Sequence, residues 1–311
     1  MNAANGVRLG LAPVNWNNDD VPEWGQTVPY AELVALTARL GYAGLESGTG
    51  APEEPEALRA LLSGQGLRLP GAYRWVRLSD PAVAAAELEA ATAAAGRLAA
   101  AGAAALLVAE HWTEARRALA GRAYRYPEAG LPPERLACLC RHLETLGARC
   151  RDLGLALALH HHVGTPVETP DEVAAVMEGT DPALVGLCLD TGHTVYGGGD
   201  ALGAARRYAR RIVYVHAKDV DGDALEDARA RGMGLLDGLR RGVFSPLYGT
   251  ARSTVDIAAV GDVLAGVGYG GWVIMECDRN PRTGDPAAEA VAARERLAQA
   301  FSASGTGGGR P

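Results

Sequence analysis

Seven histidines occur in the 311 residues, and three of them are consecutive, His160, His161 and His162, at the end of the apolar run LALALHHH. The other side chains capable of chemistry also sit where short apolar runs stop. Glu46 closes AGLES, Glu110 closes AALLVAE and Asp190 closes VGLCLD. His216 and Lys218 fall near the end of IVYVHAKD, and Glu276 near the end of WVIMECD. Carboxylates and neutral imidazoles are ordinary ligands of divalent cations and ordinary general acids and bases. A ring of Asp, Glu and His is costly to assemble unless a positive charge compensates it, and a divalent cation does so most simply. Oxygen and nitrogen donors without thiolate point to Mn²⁺ or Co²⁺, with Mg²⁺ or Zn²⁺ as alternatives.

For these residues to meet, their runs must be strands that end at one pole. Strand candidates at 7–15, 43–47, 67–75, 104–110, 155–162, 185–190, 212–219 and 272–278 alternate with helical stretches, several of which open on Asp, Pro or Glu and close on Gly. Eight strand–helix units predict an α/β fold, a single-domain (β/α)8 TIM barrel over residues 1–304, with a disordered tail at 305–311. The rival is an open doubly wound sheet, but no glycine-rich dinucleotide fingerprint follows the first strand. Active sites of such barrels lie at the C-terminal ends of the strands, where these polar residues fall. Two long excursions, 111–131 and 220–255, read as lids or substrate walls. Strand periodicity puts Ala156, Ala158, His160 and His162 on one face, and Leu155, Leu157, Leu159 and His161 on the other. Leucines suit the helix-packed side, so His160 and His162 are expected to face the barrel axis and His161 the helices.

Taken singly, each residue has a plainer reading. Asp190 in LDTGH could cap the next helix, and His216 could be a satisfied core histidine. Lys218 and Asp219 could form a surface pair of little worth, and Glu46 could be only an acceptor for a neighbour. Polar groups at the ends of six strands, all at one pole, outweigh those readings. The net charge of −7 offers no basic face for a phosphate backbone. The five cysteines form no C-x-x-C pair and read as reduced core residues of a cytoplasmic protein. No apolar stretch reaches transmembrane length, and the N-terminus lacks the apolar core of a signal peptide. The expected partner is therefore a small molecule, neither nucleic acid nor membrane, with a homo-oligomer left open.

The motifs LDTGH (189–193), YVHAKDV (214–220) and WVIMECD (272–278) resemble the xylose-isomerase-like barrel superfamily of sugar isomerases, epimerases and dehydratases. More narrowly, APVNWNNDDVPEWG (12–25) and LHHHVGTPVET (159–169) are similar to the inosose dehydratases, which act on 2-keto-myo-inositol in inositol catabolism. The resemblance implies a metal set of Asp190, His216 and Glu276, completed from the fifth strand by His160 or Glu168. The carboxylate usual at that place in the superfamily favours Glu168. By the same resemblance Glu168 and Glu276 are candidate bases, and His162, His193 and Lys218 candidate acids or oxyanion partners. Asn15, Trp16, Glu46, Glu110 and His160 are the expected substrate-pocket residues.

The implied reaction is a metal-dependent dehydration of a cyclic keto-polyol, a carbon–oxygen lyase step. Proton loss beside the ketone gives an enediolate, and water then leaves from the β position. A ketose 3-epimerase or an aldose–ketose isomerase would share the enediolate. An abasic-site DNA endonuclease on this barrel needs further histidines on the second and third strands, where this chain has Glu46 and Tyr73-Arg74-Trp75. One departure stands out: FSPLYGTARSTVD (244–256) replaces the short Pro-Gly-x-Gly element usual after the seventh strand. That loop is expected to help wall the pocket, so it allows a different substrate on the same chemistry.

Overall fold

Short runs rich in Leu, Val and Ala form eight parallel strands: β1 (Arg8–Leu11), β2 (Gly44–Leu45), β3 (Gly71–Val76), β4 (Ala105–Glu110), β5 (Ala156–His160), β6 (Gly186–Asp190), β7 (Ile212–Ala217) and β8 (Trp272–Met275). The computed structural model describes residues 6–25, 28–246 and 250–302. The strands lie in the order β2-β1-β8-β7-β6-β5-β4-β3, every neighbouring pair parallel. Parallel bridges from Gly44 to Arg68 and from Ser47 to Ala72 then join the two end strands. The sheet closes on itself as a (β/α)8 barrel. Closure needs Gly44, because a Cβ there would stand 2.6 Å from the Arg68 carbonyl oxygen.

Side-chain alternation divides the core in two. Inside the barrel pack Ala105, Leu107, Ala158, Cys188, Tyr214 and Ile274. Leu106, Val108, Leu157, Leu159, Leu187 and Val215 face the surrounding helices. Small residues fill the inner side of β5, which leaves room above them for imidazoles.

The strands are shorter than the apolar runs, for local reasons. β1 stops at Leu11, and Pro13–Asn15 fold as a 3-10 turn, since Pro13 has no N–H for a ladder. β5 stops at His160 because the chain turns back: His162 N donates to Val167 O at 3.0 Å and Thr165 Oγ1 to His162 O at 2.8 Å. Excursion 111–131 holds the short helix Glu114–Ala118 and two 3-10 turns. Excursion 220–255 holds the helices Gly222–Ala230 and Leu235–Arg241, and Phe244–Ser245 pairs antiparallel with Asp219–Val220. The expected tail, 305–311, lies outside the described residues. Among those described, no helix is long and apolar enough to cross a membrane.

Candidate active site

β6 ends at Asp190, whose two oxygens do different things. Oδ1 accepts a hydrogen bond from His193 N at 2.7 Å and caps the helix Thr191–Tyr196. Oδ2 is buried without a hydrogen bond, 3.5 Å from His160 Nε2 and 3.6 Å from His216 Nδ1. His216 is oriented by Glu46, whose Oε1 lies 3.1 Å from its Nε2, so that Nδ1 faces the donor set. That Nδ1 lies 2.6 Å from Glu276 Oε2, a second buried oxygen without a hydrogen bond, and 3.1 Å from His160 Nε2. The ligand atoms of Asp190, His216 and Glu276 all fall within 4.8 Å of one another. Two buried carboxylate oxygens lacking donors, set against two imidazole nitrogens, fit a divalent cation.

Cys188 forms a second possible group with His160 and His216. Burial pushes its thiol well above the ordinary value, so it offers no thiolate there. The oxygen and nitrogen set is the better site. Burial opposes ionisation of Glu276, but His216 and Lys218 outweigh it and hold the carboxyl down at about 2.

Lys218 follows β7 and is fully buried. Its Nζ lies 2.5 Å from Asp278 Oδ2, 3.1 Å from Glu276 Oε1 and 3.3 Å from Asp190 Oδ2, with the Phe244 ring 4.7 Å away. A buried ammonium survives only with such partners. Burial pushes the Asp278 carboxyl up to about 7, against the pull of Lys218. A carboxyl near neutrality beside an ammonium group is equipped to exchange a proton. His162 Nδ1–H donates to Val163 O at 2.8 Å, leaving Nε2 as an acceptor. Burial, reinforced by His160 and Lys218, holds this imidazole at about 3, so it is neutral. The His193 ring packs 3.9 Å from it, with Nδ1 accepting from Val163 N at 3.2 Å and Nε2 3.9 Å from Asp278 Oδ2.

His160, His162, His216, Glu276 and Asp278 line a cavity of about 370 Å³. Tyr73 and Trp75 of β3 and residues Asn17 to Asp20 after β1 form its remaining walls, with Glu46 and its neighbours. His161 lines a different, more apolar cavity of about 190 Å³ between β5, β6 and the helices, with Leu187, Leu189 and Thr194.

The structure places four of the expected site residues away from the donor set or the cavity wall. Glu168 stands apart from the donor set: its oxygens accept from Gly121 N at 2.9 Å and Gly164 N at 2.7 Å, with Arg116 3.9 Å away. It ties the 111–131 excursion to the turn after β5, and the fifth-strand donor beside Asp190 and His216 is His160. Asn15 uses its side chain on backbone, donating to Ala12 O and Met275 O at 2.8 and 3.1 Å and accepting from Cys277 N at 2.7 Å. It clamps the ends of β1 and β8, with both amide hydrogens committed to backbone carbonyls. Trp16 is buried in the packing between sheet and helices, away from the cavity wall. Glu110 accepts from Leu78 N at 3.1 Å and from Ser79 N and Oγ at 3.1 and 2.6 Å, which pins the loop after β3. Glu46 does line the cavity, where it orients His216 and accepts from Tyr214 OH at 2.7 Å. The 244–256 loop contributes Phe244 above Lys218 and His193, the latter at 4.9 Å, and residues 247–249 lie outside the described residues.

These bonds of Glu110 can be tested. Glu110→Ala strands two buried backbone N–H groups and should cost about 1–3 kcal/mol per unsatisfied group in denaturant unfolding. Turnover of the folded variant should stay within a few-fold of wild type; a collapse of kcat at unchanged stability would return Glu110 to the substrate site. Asp278 and Asp20 were missed in the sequence. Asp278 follows Glu276 by two residues in the segment just past β8, and that place at the strand pole was its signal in the sequence. Asp20 sits in an irregular loop, where no period applies.

Residues 34–300 match the family model described as a xylose isomerase-like TIM barrel. The rhizopine catabolism protein MocC of Rhizobium meliloti is 33% identical over 304 residues, 98% of this chain and 91% of that protein. An inosose dehydratase of Geobacillus kaustophilus is 34% identical over 298 residues, 94% of each chain. Among solved structures, the IOLI protein with a bound zinc atom superposes with a TM-score of 0.71 at 13% identity, over 95% of this chain and 98% of that one. By the family match and by the length of chain over which those relatives align, this protein belongs to the xylose isomerase-like TIM barrel family.

Proposed function

We propose that the protein is a metal-dependent dehydratase, a carbon–oxygen lyase that removes water from a cyclic keto-polyol of the 2-keto-myo-inositol kind. The observation that carries this reading is the donor set of Asp190, His216, Glu276 and His160 directly beside the Lys218–Asp278 pair. The likeness to an inosose dehydratase over nearly the whole chain supports the substrate class. The donor types favour Mn²⁺ or Co²⁺, with Mg²⁺ or Zn²⁺ as alternatives. Five buried, unpaired cysteines support a reducing, cytoplasmic setting.

Asp190, His216, Glu276 and His160 would hold a divalent cation, which would supply the positive charge that polarises the ketone and acidifies the neighbouring C–H. His162 Nε2, free of intramolecular donors, accepts that proton. The Lys218 ammonium, behind the cavity wall, holds Glu276 and Asp278 in place and balances their charge. Asp278, poised near neutrality, protonates the β-hydroxyl as its C–O bond breaks and water leaves. A carbon–carbon double bond forms, and the product is the enol of a dione. Each proton-transfer group contributes roughly 10²–10⁴-fold.

The test is turnover of 2-keto-myo-inositol by metal-reconstituted protein, read by mass. The expected product is lighter by one water, and a product of unchanged mass would instead indicate an epimerase or isomerase. Elemental analysis should find one divalent ion per chain. Chelation should remove turnover, and Mn²⁺ or Co²⁺ should restore it. Metal-free protein with undiminished turnover would overturn the proposal.

A further inference from the structure

We infer that Asp20 makes this cavity an anion-excluding site, so that the ring it accepts carries hydroxyl or ammonium groups and neither phosphate nor carboxylate. The inference rests on reading the cavity as a polyol dehydratase site, and it narrows the substrate class. Asp19, Asp20, Glu46, Glu276 and Asp278 line the cavity, and neither Lys nor Arg is among its lining residues.

Most of those carboxylates are already answered. Glu276 and Asp190 belong to the cation site. Asp278 is paired with Lys218 at 2.5 Å, and Glu46 is held by Tyr214 and His216. Asp19 accepts from Thr49 Oγ1. The Asp20 side chain has no hydrogen bond or ion pair among the described residues, although its backbone N–H donates to Asn18 Oδ1 at 2.9 Å, and burial raises its carboxyl above the ordinary value against the pull of Arg117 and Lys218. The cations that act on it are committed elsewhere: Lys218 to three carboxylates, and Arg117 to the face of Trp112 at 4.2 Å. An anionic substituent on the Asp20 side of the cavity, away from the cation site, would therefore meet a like charge with no arginine fork to receive it. A hydroxyl or ammonium group would instead give Asp20 the donor it lacks.

The experiment compares three cyclohexane polyols of matched size, bearing one hydroxyl, one ammonium or one carboxylate at the same ring position. Each is titrated by calorimetry into metal-loaded wild type, Asp20→Asn and Asp20→Ser. In wild type the carboxylate should bind at least about 100-fold more weakly than the ammonium compound, with the hydroxyl compound between them. Both variants should shrink that spread by about tenfold, and added salt should shrink it in wild type. On the keto-polyol, the variants should show KM rising more than kcat falls. Equal affinities in wild type, or an undiminished spread in whichever variant folds, would overturn the inference. Binding is read without turnover, so failure here is separable from failure to find a dehydrated product.

Discussion

Asp190→Asn and Glu276→Gln should each reduce turnover below detection while leaving a folded barrel. Both substitutions keep volume and remove one negative charge from the cation site. In Asp190→Asn the amide oxygen can still cap His193 N, which now donates to Oδ1 at 2.7 Å. The amide nitrogen must then take the place of Oδ2, 3.3 Å from Lys218 Nζ and 3.5 Å from His160 Nε2. A donor there faces an ammonium group and a cation site, so metal affinity and proton chemistry fail together. Glu276→Gln removes the negative oxygen 2.6 Å from His216 Nδ1. Bound metal per chain, far-UV circular dichroism and turnover separate the cases. Full activity in either variant would show that these carboxylates serve only the fold.

The barrel was legible because its periods are simple: apolar runs ending in polar residues, alternating with capped helices. Asp190, His216 and Glu276 were legible for the same reason, each lying at or just past a strand end. The contacts of Glu168, Asn15 and Glu110 were not legible, because their partners are backbone N–H and C=O groups. Gly121 N reaches Glu168 from the 111–131 excursion, and nothing in the spacing of side chains announces a spare amide. Asn15 has the same cause, since Cys277 N must be satisfied where β8 ends. Asp278 lies close behind Glu276 past the end of β8, at the same pole of the barrel. Asp20 has no such signal, because its role depends on which neighbouring charges are already paired.

The three consecutive histidines lead to the second large effect. His162→Ala should lower kcat/KM by at least about 100-fold, the usual range for a proton-transfer group, with little loss of stability. Its ring faces the cavity, Nδ1–H is committed to Val163 O, and Nε2 is left for substrate. His161→Ala should do the reverse. Its ring lies behind the strand against Leu187, Leu189 and Thr194, with Nε2 3.4 Å from Thr194 Oγ1, so truncation should cost about 1–3 kcal/mol of stability. Acid sensitivity supplies an independent check. Burial, with His160 adding to it, holds His161 at about 3, below its ordinary 6.5. The unfolded chain therefore binds a proton that the folded chain refuses between those values, and stability falls as pH drops from about 6.5 toward 3. His161→Gln should reduce that slope and leave turnover within a few-fold. Kinetics in which His161→Ala is dead and His162→Ala silent would reverse the assignment, because alternation along β5 then fails to place the imidazole that handles the proton.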